Sequence, residues 1–338
     1  MVQSADNGPM TDENSSVVLP TEASVSGIEM FKNRIRRNLR VWRKRLVKQD
    51  ISCYRLYDAD LHEYNAAIDF YEGMWLVVSE YAAPKTIEPQ KAEQRLREML
   101  LALSELLDIE AEYIFLKQRT RQKGRNQYEP MGRSGEKRLI REGGLSFYVN
   151  FLDYLDTGIF LDHRLIRQMI REESKGKDFL NLFAYTGTAS VYAAAGGARS
   201  TTSLDASNTY LDWAAKNMKQ NGFDGPEHRY LRDNCLNWVN FCRQSYDLIF
   251  LDPPSFSNSK TYGTAFGVQE DHASLIRSVM KRLRPGGRLI FSNNLRTFKL
   301  EPSLSAEFMV KDISLRTIPF DFERNARIHH CFIVEHPS

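Results

Sequence analysis

From residue 158 onward, short apolar stretches of strand length alternate with amphipathic stretches of helix length, and this alternation restricts the chain more than any other feature. Strand-like segments at 179–183, 200–204, 227–232, 246–251 and 288–292 are separated by helix-like segments at 189–195, 210–220, 236–242 and 273–283. A series of this kind builds a doubly wound, mainly parallel sheet with helices on both faces. Two further strand-like segments, 312–318 and 328–334, follow without a helical pattern between them and are expected to close the sheet as an antiparallel pair. Open sheets bind ligands beyond the carboxyl ends of their strands, where the strand order reverses. The residues that end the strands are therefore where chemistry is expected.

The first strand runs out into Asn181-Leu-Phe183-Ala184-Tyr185-Thr186-Gly187, with Gly187 permitting a tight turn into the next helix. About twenty residues on, the second ends in Asp205-Ala206-Ser207, where a carboxylate can accept from both hydroxyls of a ribose. The third ends in Asp233-Asn234, placed to accept from an adenine amino group. One such aspartate is ordinary loop chemistry, but the turn at Gly187, Asp205 and Asp233 in order at strand spacing point to a nucleoside cofactor. A dinucleotide site expects GxGxxG, and here Phe183 and Tyr185 stand where glycines would let a pyrophosphate approach. A cofactor without phosphate needs no such nest, and an antiparallel closing pair is the usual ending of S-adenosylmethionine-dependent methyltransferases. The expected fold is thus a Rossmann-like class I methyltransferase domain, α/β, with a seven-stranded mainly parallel sheet whose last strand is antiparallel. The fourth strand ends in Asp252-Pro253-Pro254-Ser255-Phe256, where paired prolines fix an extended backbone at the mouth of the site. Such rigidity suits holding a flat base, with Phe256 as a stacking surface or as simple packing under the loop.

The preceding part reads as a smaller α+β domain. The boundaries drawn are a polar tail or linker at 1–27, a basic N-terminal domain at 28–152 and the methyltransferase domain at 153–338. Phe31, Ile35, Leu39, Trp42 and Leu46 recur at helical spacing and predict an amphipathic helix over 28–49. Strands at 53–61 and 65–80, a helix at 88–107, a strand at 113–116 and a hairpin ending at 151 complete the domain. The net charge is only +3, so any nucleic-acid signal lies in where the charge sits. Lys32, Arg36, Arg40, Lys44 and Lys48 fall four apart with no acidic residue between them. Like charges at that spacing weaken a helix, which points to a polyanion on that face; a solvated face and a membrane-surface helix are the competing readings. A second cluster holds Lys117, Arg119, Arg121, Lys123 and Arg125, with Gln127 and Tyr128 beside it. RNA is preferred to DNA because base chemistry is easiest on splayed nucleotides. No apolar run reaches membrane-spanning length, no targeting segment is visible, and four cysteines (Cys53, Cys235, Cys242 and Cys331) lack metal or disulfide spacing. A cytoplasmic protein without a metal or a membrane partner is expected.

Several runs carry a more specific resemblance. Residues 181–187, Asp252-Pro-Pro-Ser-Phe-Ser-Asn-Ser-Lys260, Thr157-Gly-Ile-Phe-Leu-Asp-His-Arg164, Tyr54-Arg-Leu-Tyr-Asp-Ala-Asp60, the run 121–128, Tyr154-Leu-Asp-Thr-Gly158 and Ser292-Asn293-Asn294 resemble the large-subunit ribosomal RNA methyltransferases. Among these the match is to the half of the bifunctional 23S rRNA enzyme that makes N7-methylguanosine. The resemblance implies 23S rRNA or its precursor particle as partner, and a fused or separate N2-guanine methyltransferase half. No such half is recognised in the sequence, so a standalone enzyme or an excised portion is expected. Asp162 and Arg164 are expected to hold the amino and carboxylate groups of the cofactor's methionine part, with a helix-start salt bridge as the other reading. Lys260, Asn293 and Asn294 are candidate donors to a guanine O6. Guanine N7 already carries a lone pair, so neither a base nor a covalent intermediate is required. A cytosine-C5 enzyme would need a thiolate, and serine and asparagine occupy the places after strands four and five where one is expected. The alternatives are that cytosine-C5 enzyme and a non-catalytic ribosome-assembly factor.

Overall fold

The computed structural model describes residues 22–81, 88–119, 132, 134–257 and 265–337. Helix α1 (Glu22–Lys48) is the predicted amphipathic helix, begun earlier than expected. Its stripe of Phe31, Ile35, Trp42 and Leu46 is buried, with Leu39 packed alongside. Strands β1 (Cys53–Asp58), β2 (Ala66–Tyr71), β3 (Trp75–Tyr81) and β4 (Ile114–Arg119) form a sheet in that order, with α2 (Pro89–Leu107) crossing between the parallel pair β3 and β4. The segment 65–80 is therefore a hairpin, where the sequence was expected to give one strand. Three residues, 72–74, join the paired Tyr71 and Trp75, and Glu72 and Gly73 take left-handed φ of 52° and 70° to make the reversal tight. Alternation along the strands splits this sheet cleanly. Leu56, Ile68, Phe70 and Val78 pack under α1 and α2, while Cys53, Tyr71, Val77 and Phe115 face the rest of the chain.

Apolar contact continues without a break through residue 152. Hairpin β5 (Arg138–Glu142) and β6 (Leu145–Val149) shares one cluster with the first sheet and with the helices of the second half. The amides of Ser146 and Tyr148 donate to Asn221 and Asn217, both at 2.9 Å.

Helix α3 (Arg164–Glu173) leads into β7 (Asp178–Leu182), α4 (Thr188–Ala195), β8 (Ser200–Asp205), α5 (Asn208–Gln220), β9 (His228–Arg232), α6 (Cys235–Phe241) and β10 (Tyr246–Leu251). A short pair, β11 (Phe256–Ser257) and β12 (Phe266–Gly267), precedes α7 (Val268–Met280) and β13 (Leu283–Asn293). The chain ends with α8 (Ser303–Glu307), β14 (Met309–Asp312), α9 (Ser314–Thr317) and β15 (His330–Glu335). The second sheet has seven strands in the order β14-β15-β13-β10-β7-β8-β9, parallel except that β15 runs against both neighbours. The strand expected at 312–318 lies earlier, at 309–312, and 314–317 is helix α9. The Asp312 carboxylate accepts from the amide (2.8 Å) and hydroxyl (2.6 Å) of Ser314, which turns the backbone into α9. Strand order reverses between β7 and β10, and their carboxyl ends open on one side of the sheet.

Candidate active site

Beyond those ends lies a cavity of about 670 Å³, within the range of about 300–1,000 Å³ usual for small-molecule sites. One wall is the loop after β7. Phe183 and Tyr185 sit there at φ of 57° and 50°, left-handed conformations that bulky side chains rarely take. Hydrogen bonds hold the loop in that shape. Ala184 N–H donates to Leu204 O at 3.0 Å and Tyr185 N–H to the Asp205 carboxylate at 2.9 Å. Gly187 matters for a second reason besides its turn: a Cβ there would stand 2.6 Å from that of Ala214 in α5.

Asp205, Ala206 and Ser207 continue the wall. Burial pushes the Asp205 carboxyl up to about 6, although the amides of Ser207 and Tyr185 donate to it. A ligand whose hydroxyls donate to Asp205 requires the ionised form. Below pH 6 that form must first be made, so affinity falls as the pH drops. Cofactor binding is expected to be about tenfold weaker at pH ~5 than at pH ~7.5. Titration calorimetry across that range checks this, with Asp205→Asn giving a flat profile. A flat profile in the unmodified protein would remove Asp205 from the contact.

Asn181 lies at the centre of the site, buried, with its amide nitrogen donating to Ser190 Oγ at 3.0 Å. Its Oδ1 has no hydrogen-bond partner among the described residues, although Asn181 lines the cavity. A buried carbonyl of this kind is costly unless a ligand donor reaches it. Asp162 also lines the cavity, on the turn before α3. An orphaned acceptor, two carboxylates and the aromatic rings of Phe160 and Tyr185 (centroids 5.4 Å apart) suit a ligand with an ammonium group, a ribose and a cationic centre. The residues present fit S-adenosylmethionine.

Asp252, Pro253, Pro254 and Ser255 form the adjoining wall, as the sequence implied. Ser255 Oγ donates to Asn294 Oδ1 at 2.6 Å, which orients that amide so that its nitrogen is the group left to donate. Beneath Asp252 is a residue that sequence reasoning passed over, His163. Its Nε2 lies 2.9 Å from Ser292 Oγ and 3.6 Å from Asp252 Oδ1, while Nδ1 is 3.2 Å from Asp162 Oδ2 without hydrogen-bond geometry. His329 Nδ1 closes the cluster at 2.9 Å from the same Asp162 oxygen. Burial opposes charge on His163, but the Asp162 and Asp252 carboxylates outweigh it and raise the imidazole to about 10. Burial likewise opposes the Asp162 carboxylate, yet His163 and His329 hold it well below the usual range. A buried imidazolium therefore sits between two carboxylates that face the cavity. The run 157–164 contained His163, but its partners come from β10, β13 and the approach to β15, which local sequence does not reveal. Arg55 and Tyr81, on the far wall, were missed for the same reason.

Other expectations are corrected. Arg164 does not reach the cavity: both its Nη atoms bond Asp321 (3.1 and 3.2 Å), and Nη2 also donates to Cys53 O. The salt bridge at the helix start is the reading that holds. Asn234 caps α6 by accepting from Leu236 N–H at 2.9 Å, and Asp233 is exposed beside it with one oxygen accepting the Asn234 amide, so neither lines the cavity. Thr186 is buried behind the loop, its hydroxyl donating to Gly158 O, and Gly187 packs on α5. Asn293 is fully buried at the end of β13 and does not line the cavity. Phe256 is half exposed on β11, outside the lining.

On α1, Lys32 pairs with Glu105 at 2.7 Å and Arg36 lies 3.7 Å from Glu29, while Arg37, Arg40, Arg43, Lys44 and Lys48 are exposed. Arg121, Lys123, Arg125 and Lys260 lie outside the described residues. Among the described residues no helix is long and apolar enough to cross a membrane.

The family model for S-adenosylmethionine-dependent methyltransferases matches residues 45–324. A protein of Allochromatium vinosum named ribosomal RNA large subunit methyltransferase K/L is 52% identical over 324 residues, covering 95% of this chain and 44% of that protein. One of the same name from Hahella chejuensis is 50% identical over 323 residues, covering 94% and 45%. The chain thus spans about half the length of the curated relatives it matches. The crystal structure of SMU.776 complexed with SAH superposes with a TM-score of 0.73 at 24% identity, covering 91% of this chain and 81% of that one, and shares the fold.

Proposed function

The chain belongs to the S-adenosylmethionine-dependent methyltransferases, and from that premise we propose that it methylates N7 of a guanine in large-subunit ribosomal RNA. The substrate class follows the relatives' name. The N7 position is favoured by one observation above others: among the described residues, no cysteine lines the cavity. Cys235 is buried behind the loop after β7, and burial raises its thiol well above the ordinary value. Cys331 is buried within β15 and raised in the same way. A cytosine-C5 reaction needs a thiolate at the base. Methylation at N7 needs none.

The cofactor, when bound, supplies an electrophilic methyl group on a sulfonium. Residues of this chain do the rest. Asn181, Asp205, Ser207 and Asp162 hold and orient the donor. The loop 252–255 positions the acceptor base, and the carboxylate of Asp252 stabilises positive charge as the purine takes it up. His163 keeps that carboxylate in place. Asn294 offers a donor to the base edge, and Arg40 and Lys44 with their exposed neighbours on α1 bind the RNA backbone, with affinity that falls steeply with salt. The region 28–152 would act as the RNA-binding part, alongside a fused or separate N2-guanine methyltransferase half, in the cytoplasm.

The test is product identity. Incubation with labelled S-adenosylmethionine and unmodified 23S rRNA, followed by nucleoside mass spectrometry, is expected to give N7-methylguanosine. Cys235→Ser and Cys331→Ser should leave turnover largely intact. A 5-methylcytosine product, or a trapped protein–RNA adduct, would overturn the reading.

A further inference from the structure

The cavity has a second wall, and it is built by the first sheet. Arg55 on β1, Ala67 on β2, and Ser79 and Tyr81 on β3 line it, joined by Phe322 and Ile328 from the segment before β15. These residues lie on the sheet face turned away from α1 and α2, as the pairings Arg55↔Asp69 and Ala67↔Ser79 require. They stand apart from Asn181, Asp205 and Ser207, which belong to the second sheet's strand ends. We propose that this half of the cavity is the chamber for a target guanine extruded from the RNA, and that Arg55 reads its O6. The inference rests on the guanine-N7 reading above and names the residues that receive the base.

Three observations carry it. First, the β1–β2 pairing shifts register between Arg55 and Tyr57, so Leu56 and Tyr57 both turn to the helix side and Arg55 is aimed at the cavity. Bulges of this kind re-aim side chains beside active sites. Secondly, the guanidinium is fixed before any ligand arrives. Its Nε and Nη2 donate to the Asp69 carboxylate at 2.8 and 3.1 Å, and its Cζ lies over the Phe322 ring, 4.7 Å from the centroid. Nη1 lies 3.5 Å from Asp58 Oδ1, so Asp69 and Asp58 together take three of the five guanidinium hydrogens, and one on each Nη remains for a base edge. Thirdly, the wall is otherwise uncharged, as a flat base requires: Ala67 and Ser79 leave room, Tyr81 offers ring surface, and Phe322 and Ile328 add apolar surface. Arginine pairs with the O6/N7 edge of guanine. Here N7 must stay open to the methyl group, so the contact is to O6. An adenine presents an amino donor at that position and would meet donor against donor.

Two variants test this. Ala67→Leu fills the chamber, and Arg55→Lys keeps the buried charge but loses the planar fork. Each is assayed for S-adenosylmethionine affinity by calorimetry and for single-turnover methyl transfer to 23S rRNA at saturating cofactor. Ala67→Leu is expected to keep cofactor affinity within about twofold and to lose transfer by about 50-fold or more. Arg55→Lys is expected to lose about tenfold or more in kcat/KM for RNA, again with unchanged cofactor affinity. Transfer within about threefold of the parent in the folded variants would overturn the proposal, as would loss of cofactor affinity in step with transfer. Should Ala67→Leu fail to fold, Arg55→Lys decides alone. A parent product other than N7-methylguanosine would sink the guanine reading without this test, whereas an N7 product with Ala67→Leu still active would sink the chamber alone.

Discussion

Replacing Asp252 with alanine is expected to slow methyl transfer by about 10²- to 10³-fold at saturating cofactor, the scale of removing one preorganised electrostatic partner from an enclosed site. The carboxylate stands at the end of β10, on backbone that Pro253 and Pro254 hold extended, and Oδ1 lies 3.6 Å from the His163 imidazolium. During transfer, positive charge moves onto the purine ring. A fixed anion beside it needs no reorganisation at that moment, which is where such a group is most effective. Asp252→Asn separates charge from shape. If charge is the contribution, the asparagine variant falls nearly as far as the alanine one. A rate within about threefold of the parent would instead reduce Asp252 to packing. Cofactor affinity is expected to move much less in both, because Asn181, Asp205 and Ser207 remain. Single-turnover kinetics with calorimetry on the same samples reads both quantities.

The second large effect concerns stability. Arg164 is buried, bonds Asp321 through both its terminal nitrogens, donates to Cys53 O at the start of β1, and has Nε 3.7 Å from Glu142. Asp321 also accepts from the Arg55 amide at 3.0 Å. One ion pair therefore ties α3, the first sheet and the segment before β15 together. Removing one partner leaves the other charge buried and unpaired, a loss of about 3–5 kcal/mol. Arg164→Met and Asp321→Ala are each expected to destabilise by about that amount in denaturant unfolding, while the folded fraction binds cofactor with unchanged affinity. Weaker cofactor binding with little loss of stability would restore Arg164 to the cofactor's carboxylate.

That correction marks the limit of what the sequence could say. Asp205 and the run 252–255 were legible because their position follows from chain order alone: they end strands, and ends of parallel strands gather at one edge. Arg164 sits two residues from cavity-lining Asp162, but α3 starts between them and Arg164 is held by Asp321 instead of reaching the cavity. Asp233 and Asn234 also end a strand, yet Asn234 is spent on capping α6, a local use that competes with any ligand. His163 and Arg55 were invisible for a different reason. Each acquires its role from partners far along the chain, and no periodicity reports a contact between β1 and the segment before β15. The hairpin at Glu72 and Gly73 was, by contrast, readable and missed, since a long apolar run masked a short turn.

The central claim is that the edge where β7, β8 and β10 end holds a nucleoside methyl donor, with the first sheet facing it across the cavity. A crystal structure of the protein with S-adenosylhomocysteine tests this most directly. The account predicts ribose hydroxyls on Asp205, the amino group within hydrogen-bond distance of Asn181 Oδ1, and open space between the sulfur and Arg55. A ligand bound elsewhere, or one whose amino acid part fills the space before Arg55, would contradict it.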